Sequence, residues 1–446
     1  FELITAMPRW SPGDRLVALQ YNVLKQELAT NFQARTCRTD PRRMEEILGP
    51  GYEESWSSNL KKIDTEYKPF HLQKQRVTTP AGETTYARAL FSERDLTNLP
   101  GWELGETKVL DGETLQGDVK GERVELKTMK GLLERLYPTK STALFDHIAE
   151  LHNTYYAWEV RGPRLLDRIL QQAPDVVALQ EYDLHHREIQ VEADKLPFEG
   201  ALRKAGFDLA MFMGVGSHDS GCLIAWNSSK FAGPEVLKEF PRGVVPVGTS
   251  TPELRCLDMD EPGMREVDRR SQGLVALRGE GDHRLVVTTA HLMTSSRDKD
   301  GSLRAWEVSV CCENIASMLS GLPAATPVIW MGDFNINSRG DADSVMFKGH
   351  KDRQPSGFQA QGGRKTLQAG GRVLLDAHGD VNSSEEMATS KLPTRIETID
   401  YVFFTDDVLR LANRSSLECP AGGMPSETEP SDHIPVVVVF EGSPSC

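Results

Sequence analysis

No apolar run in this sequence approaches the roughly 18 residues that a membrane-spanning helix needs. The longest local candidate is the short stretch Ile434 to Phe440, so no span is expected. There is no CxxC pair either. The seven cysteines (Cys37, Cys222, Cys256, Cys311, Cys312, Cys419 and Cys446) are odd in number and scattered. That disfavours a zinc ribbon or a disulfide scaffold and points to a reducing compartment. Positive charge is in deficit: 51 Lys and Arg stand against 65 Asp and Glu, a net −14. Binding nucleic acid through one broad basic surface is disfavoured, whereas a local basic groove and a cluster of metal-binding carboxylates are both compatible with the total. An initiating Met is missing too. The sequence opens on Phe1, so the chain is read as trimmed or processed, with any targeting segment lost from view, and the expectation is a soluble intracellular protein of the cytoplasm or of an organelle.

What is present suffices for a core. Hydrophobic residues make up 39% and charged residues 26%, the balance of a folded chain. Short β-branched or aromatic segments bounded by Gly, Pro, Asp or Ser recur. They are Arg15 to Asn22, Asp175 to Gln180, Cys222 to Trp226, Gly273 to Leu277, Leu285 to Ala290, Pro327 to Met331, Ile399 to Phe404 and Pro435 to Phe440. These read as strands. Helical periodicity runs over Arg164 to Gln172 and Ser302 to Leu319. The pattern predicts an α/β (α+β) protein built from two packed β-sheets flanked by helices. Between about residues 25 and 155 the rhythm breaks. Charge, Thr and Gly dominate there, and strong buried-strand runs are missing. Lys127 to Leu136 and Thr142 to Tyr156 read as helix. Residues 25–155 are taken as an insertion after the first strand, a small subdomain or lid. Residues 1–24 plus 156–446 are then the expected catalytic domain.

Polar residues suited to a hard cation recur at the strand ends. Asn22 closes the first strand and Glu181 the second. His291 follows a third, in Ala290-His-Leu292. Asp333 and Asn335 stand in Gly332-Asp-Phe-Asn335, Asp400 in Thr398-Ile-Asp-Tyr401, and Asp432 and His433 in Ser431-Asp-His433. A sheet brings such ends together across hundreds of residues. The set is oxygen ligands plus two imidazoles, with no thiolate, so magnesium or manganese fits better than zinc. Singly, each has a plainer reading. A Glu after a strand is usually a solvated loop residue, and Asp-Phe-Asn is a turn that caps its own backbone. Asp400 is different. It sits inside an apolar strand, where an unpaired charge is costly, so it must have a partner. His433 is the natural candidate.

The joint order of Gln20-Tyr-Asn22, Leu179-Gln-Glu181, Ala290-His-Leu292, Gly332-Asp-Phe-Asn335, Thr398-Ile-Asp-Tyr401 and Ser431-Asp-His433 resembles the endonuclease/exonuclease/phosphatase superfamily of magnesium-dependent phosphoesterases. Trp158-Glu-Val-Arg161, Asp219-Ser-Gly-Cys222 and Arg270-Ser-Gln272 resemble, within it, the branch of the poly(A) deadenylases and nocturnin. The resemblance covers Arg15 to Asn22 and about Tyr156 to Phe440, and leaves out the insertion. It implies a DNase I-like, four-layer α/β/β/α sandwich of two mixed sheets. It implies Glu181 as the main ligand of Mg2+ (or Mn2+), with Asn22 and Asp432 beside it, directly or through water. Asp333 and Asn335 are implied to orient the attacking water and the phosphate. His433, held by Asp400, acts on the same water or stabilises charge. Asp333 and His433 are both candidates for the general base, and His291 is implied to donate to the scissile phosphate. Trp158, Arg161 and Arg270 are the expected substrate contacts, with Arg269 and Trp226 as further candidates for holding a single strand.

This sequence also departs from that branch. Met293, Thr294, Ser295 and Ser296 stand where branch members place Lys and other basic residues. The loop after Asn335, Ile336 to Asp343, is longer and more acidic. Three readings follow. The leading one is a deadenylase-like 3′-exoribonuclease acting on an RNA 3′ end. The second keeps the chemistry on a small nucleotide, an inositol phosphate or a phospholipid head group. The third is a non-catalytic subunit of a larger assembly, with the 25–155 insertion docking a protein partner.

Overall fold

The computed structural model describes residues 10–24, 40–59, 75–78, 84–87, 108–109, 114–119, 122–127, 129–151, 154–155, 158–183, 197–213, 220–239, 272–294, 302–336, 359–361, 364–380, 388–392, 395–414, 424–426 and 428–442. Six strands position the site: β1 (Leu16–Asn22), β2 (Val176–Asp183), β3 (Arg284–His291), β4 (Val328–Asp333), β5 (Asp400–Thr405) and β6 (Val436–Gly442). They belong to two mixed sheets. The first has six strands, in the order Leu409–Arg414, β6, β1, β2, Ser220–Asn227, Phe207–Met213. The second has eight, in the order Ala232–Glu239, Gln272–Arg278, β3, β4, β5, Arg372–Asp380, Arg364–Ala369, Gln359–Gln361. β1 runs parallel to β2, and β3 to β4. β6 and β5 join their neighbours antiparallel.

Strand alternation explains how the layers form, because successive side chains point to opposite faces. Leu16 and Ala18 of β1, Val176 and Ala178 of β2, Leu285 and Val287 of β3, Ile329 and Met331 of β4, Val402 and Phe404 of β5, and Val436, Val438 and Phe440 of β6 meet in one core between the sheets. The opposite parity of the second sheet, including Val286, Val328, Trp330, Tyr401 and Phe403, packs with Ala305, Val308, Cys311 and Ile315 of the helix Ser302–Leu319. A second helix, Phe198–Lys204, packs on Phe207–Met213. Each large side chain buried this way contributes roughly 1.5–3 kcal/mol. Gly332 reflects the close approach of β4 to β3: a Cβ there would meet the carbonyl oxygen of Ala290 at 2.3 Å.

The parity that builds the inner core continues to the strand ends and becomes polar there. Two residues beyond Ala18 stands Gln20, then Asn22. Beyond Ala178 stands Gln180. Beyond Val287 come Thr289 and His291, beyond Met331 comes Asp333, and two before Val402 comes Asp400.

By contact, the chain divides into two compact units. One comprises Phe1–Lys25, Gly162–Met424 and Thr428–Cys446; the other comprises Gln26–Arg161 with Pro425–Glu427. Within the second unit lie the helices Pro41–Leu48, Met129–Leu136 and Ser141–Leu151. Strands lie there too, which corrects the strand-poor expectation. Gln75–Thr78 pairs with Thr84–Ala87, and Lys108–Val109, Thr114–Val119 and Glu122–Lys127 form a three-stranded sheet. Leu115, Val119, Val124 and Leu126 alternate with polar residues, a half-apolar pattern that a search for continuous apolar runs passes over. The helix expected from Arg164 begins at Trp158 and carries Pro163 inside it. Among the described residues, no helix is long and apolar enough to cross a membrane.

Candidate active site

Register assembles the site before any side chain is considered. β3 and β4 pair His291 with Asp333, and β4 and β5 pair Asp333 with Asp400. Three candidate residues therefore stand in one row across adjacent strands. In the facing sheet Asn22 pairs with Gln180. By alternation Glu181 should then point away from the site. It does not, because β2 slips register against Ser220–Asn227 between Leu179 and Tyr182, and Glu181 takes φ +56°. A bulge of this kind lets consecutive side chains turn to the same face. Holding a residue other than glycine in the left-handed region costs about 1–3 kcal/mol. Asn335 shares that conformation at φ +50°.

The side chains converge. The Asn22 carboxamide nitrogen donates to Asp333 Oδ2 at 3.0 Å and to Glu181 Oε1 at 3.3 Å. His291 Nε2 lies 3.7 Å from both Glu181 Oε1 and Asp333 Oδ2. His433 Nε2 lies 3.8 Å from Asp333 Oδ2 and 3.8 Å from Asp432 Oδ1. The other ring nitrogen of His433, Nδ1, donates to Asp400 Oδ2 at 2.7 Å. Asn335 donates its backbone N–H to Asp333 Oδ1 at 2.8 Å and a carboxamide N–H to the Leu292 carbonyl at 2.9 Å. Apart from Glu181 and Asn335, which are partly exposed, all these site residues are buried.

Burying so many acids together has an electrostatic consequence. Burial, and then the neighbouring Asp400, push the Asp333 carboxyl up to about 7, against the pull of His433 and the Asn22 and Asn335 hydrogen bonds. Burial also works against a charged His433, but Asp400, Asp432 and Asp333 outweigh it and hold the imidazole well above its ordinary value. Glu181, Asp333, Asp400 and Asp432 thus face one imidazolium. A hard divalent cation fits this donor set, since it would offset the surplus negative charge and accepts carboxylate oxygens. Asp333, Asp400 and His433 offer atoms within 4.8 Å of one another. Asp400 and His433, however, are already bonded to each other, and the other carboxylates of the group are Glu181, Asp432 and Asp333. Asn22, expected beside the cation, is held by hydrogen bonds at both ends of its amide. Its oxygen accepts from Leu24 N–H at 3.0 Å, so its nitrogen faces the carboxylates and aligns them.

Three of the expected substrate contacts fall on described residues: Trp158, Arg161 and Trp226. Trp158 and Arg161 are buried, with the guanidinium 5.3 Å from the ring centroid. Trp226 is buried in the inter-sheet core. Arg269 and Arg270 lie outside the described residues. Several supporting residues escaped the sequence reading. Arg304 Nη1 donates to the Asn335 carbonyl at 2.6 Å. Thr389 Oγ1 accepts from the Asp400 N–H at 3.1 Å, and Ser390 Oγ donates to the Asp432 carbonyl at 3.0 Å. Buried Glu429 accepts from the Tyr21 hydroxyl and from Arg168 Nε. Burial pushes its carboxyl up to about 7 in spite of these donors. None belongs to a recognisable motif; only their burial as polar residues would have marked them.

A pH dependence follows for the metal-free protein. Asp333, Glu429 and His433 all bind protons more readily folded than unfolded. Their stabilisation is present below the unfolded pKa values and is lost as pH rises through the folded ones. The window for the two carboxyls runs from about 4 up to about 7, and His433 extends it upward. The unfolding midpoint in EDTA is expected to fall as pH rises from about 6 to about 8. Calorimetry checks the slope, and millimolar Mg2+ should flatten it.

Comparison with known proteins now bears on this geometry. The chain is 24% identical over 327 residues to Carbon catabolite repressor protein 4 homolog 1 of Arabidopsis thaliana, covering 65% of this chain and 53% of that protein. It is 23% identical over 301 residues to Nocturnin of Drosophila melanogaster, covering 64% and 42%. It spans about half the length of the curated relatives it matches. Among solved structures, ANGEL2, a 2′,3′-cyclic phosphatase, superposes with TM-score 0.47 at 19% identity over 66% of this chain and 91% of that one. Carbon catabolite repressor protein 4 homolog 1 and Nocturnin are relatives of the kind that the branch motifs resemble. The family model for Endonuclease/Exonuclease/phosphatase proteins matches residues 152–433. That span omits β1, yet the fold returns Asn22 to Glu181 and Asp333 across the insertion. With more than half of its length matched and its strand ends gathered as described, this chain belongs to the Endonuclease/Exonuclease/phosphatase family.

Proposed function

We propose that the protein is a magnesium-dependent phosphodiesterase that shortens RNA from its 3′ end, in the manner of a deadenylase. The observation carrying this reading is the convergence of Glu181, Asp333, Asp432, His291 and His433 within hydrogen-bonding or ion-pair reach of one another. Glu181 and Asp432 would hold the cation, and Asn22 keeps Glu181 and Asp333 aligned. When bound, Mg2+ supplies a Lewis acid for the phosphoryl oxygen and the leaving group.

The chain's own residues perform the remaining work. His433 donates its Nδ1–H in a hydrogen bond to Asp400, so Nε2 is the nitrogen left for substrate. Its raised proton affinity makes that nitrogen a charged donor toward phosphate oxygens, where charge develops during in-line attack. Asp333 is then the group to take a proton from water, with Oδ1 fixed by the Asn335 N–H. His291 lies beside Glu181 and Asp333, on the side where a second donor can reach the phosphate.

RNA as substrate rests on the branch-like motifs and on similarity to the Carbon catabolite repressor 4 and Nocturnin proteins. A second reading, a small phosphorylated substrate, is favoured by the burial of Trp158 and Arg161 and by Met293 and Thr294 in place of basic residues. Purified protein should be incubated with 5′-labelled oligo(A), a mononucleotide, an inositol phosphate and a phospholipid. Stepwise shortening of the oligomer in Mg2+ and none in EDTA is the expected outcome. Phosphate release from a small substrate with the oligomer intact would establish the second reading. Inertness toward every substrate would remove the enzyme reading.

A further inference from the structure

Between the inter-sheet core and the site lies a layer of neutral polar residues with no assigned role. Gln20, Gln180 and Thr289 are wholly buried and come from β1, β2 and β3. They form a chain. Gln20 Nε2 donates both of its protons, one to Gln180 Oε1 at 2.8 Å and one to Asp400 Oδ1 at 2.7 Å. Gln180 Nε2 donates onward to Thr289 Oγ1 at 3.0 Å. The line leaves the second sheet at Asp400, crosses the first, and returns to the second at Thr289.

The orientation of Gln20 follows from its partners. A flipped amide would put its oxygen against a carboxylate oxygen, so only the NH2 end can face Asp400. Gln20 Oε1 is left without a hydrogen-bond partner in the interior. An unserved buried oxygen costs stability, and the two bonds made by the nitrogen are what the position gives in return. Asp400 consequently has both oxygens held: Oδ2 by His433 and Oδ1 by Gln20. With one oxygen free, the carboxylate could rotate about its Cβ–Cγ bond and carry the imidazole with it. With both held, the carboxylate plane is fixed.

We propose that Gln20 is a positioning residue for the Asp400–His433 pair, setting the plane of the carboxylate and through it the imidazole, with Gln180 and Thr289 as its buttress. This rests on the phosphodiesterase reading above. Gln20 touches no reacting atom, so its effect belongs in kcat and has to pass through Asp400.

A double-mutant cycle with Mg2+-loaded protein tests it, using whichever substrate the wild type hydrolyses. Gln20→Leu should lower kcat about 10- to 100-fold, the scale of one hydrogen bond to a charged group, with KM within about twofold. In an Asp400→Asn background the same change should alter kcat by less than about threefold, because the group it acts through is already disabled. An unchanged kcat for Gln20→Leu, or a loss that multiplies independently of Asp400→Asn, would overturn the proposal. Should Gln20→Leu fail to fold, Thr289→Val decides. It preserves shape and leaves the Gln20–Asp400 bond in place, but it takes the acceptor from the Gln180 N–H, so a kcat loss of about three- to tenfold in a folded protein with a lowered melting temperature is expected. A wild-type kcat in Thr289→Val would overturn the proposal in that case. A wild-type protein without turnover on any substrate overturns the phosphodiesterase reading and this inference together, whereas an active wild type with an indifferent Gln20 overturns this inference alone.

Discussion

Glu181→Gln should turn over at least about 10³-fold more slowly than the wild type, the rate equivalent of several kcal/mol of lost charge stabilisation. Its fold should survive. Glu181 is partly exposed, and its carboxylate stands among the acids that meet near Asn22. Removing one negative charge from that group relieves repulsion, so the unfolding midpoint in EDTA is expected to hold or rise. Any rise in midpoint that a divalent cation gives the wild type should shrink, since a ligand stabilises only in proportion to its differential binding. A second comparison separates chemistry from backbone. Glu181 sits at φ +56°, which glycine adopts without strain and alanine does not. Glu181→Gly should therefore be more stable than Glu181→Ala by up to about 1 kcal/mol, a reversal of the usual order. Both should be inactive. Wild-type turnover in Glu181→Gln would show that the cation is held elsewhere.

That strained residue also marks the limit of what the sequence discloses. The segments ending at Asn22, Glu181, His291 and Asp333, together with the one bearing Asp400, were legible because each couples a β-branched or aromatic run to a polar stop. A two-sheet protein follows from those runs. Which partners they find does not, because register depends on contacts hundreds of residues apart. Asp400 opposite Asp333 is such a case. Strand theory alone disfavours two acids directly across from one another, and only the intervening His433 and Asn22 explain the pairing. The amphipathic edge strands Phe207–Met213 and Leu409–Arg414 were missed. Leu409–Arg414 carries exposed polar positions, so its apolar signal is diluted. Trp158 and Arg161 show the same limit for helix bounds. Read in a loop before a helix, they look like substrate contacts; the helix begins at Trp158 and encloses them.

Gln20, Gln180 and Thr289 were hidden for a related reason. On a strand, a Gln or Thr one step from a catalytic motif reads as an ordinary polar residue facing solvent. Parity says otherwise. Gln20 shares its face with Ala18 and Gln180 with Ala178, and both alanines are in the inter-sheet core. A polar residue on a core-facing parity must find partners inside. Here it finds Asp400.

His433→Ala should cost about 10³- to 10⁴-fold in kcat, more than general acid–base assistance alone often supplies, because a charged donor to the phosphate is lost as well. Stability should fall too, and that second effect needs separating from the first. Asp400 is wholly buried, and His433 is its cationic partner at 2.7 Å. Stripping the imidazole leaves a buried carboxylate served by Gln20, and breaking such a pair costs about 3–5 kcal/mol. The combined variant Asp400→Asn/His433→Ala removes the stranded charge. It is expected to regain most of the lost stability while staying as inactive as His433→Ala. Urea unfolding in EDTA and turnover in Mg2+, measured on the same preparations, test both halves. A His433→Ala enzyme within tenfold of the wild type would take this histidine out of the chemistry. Recovery of activity in the double variant would mean that the single variant was slow because its interior was disturbed. The imidazole would then be a counter-charge for Asp400 rather than a donor to the phosphate, and Asp333 would have to carry the proton transfer with His291 as the remaining imidazole at the site.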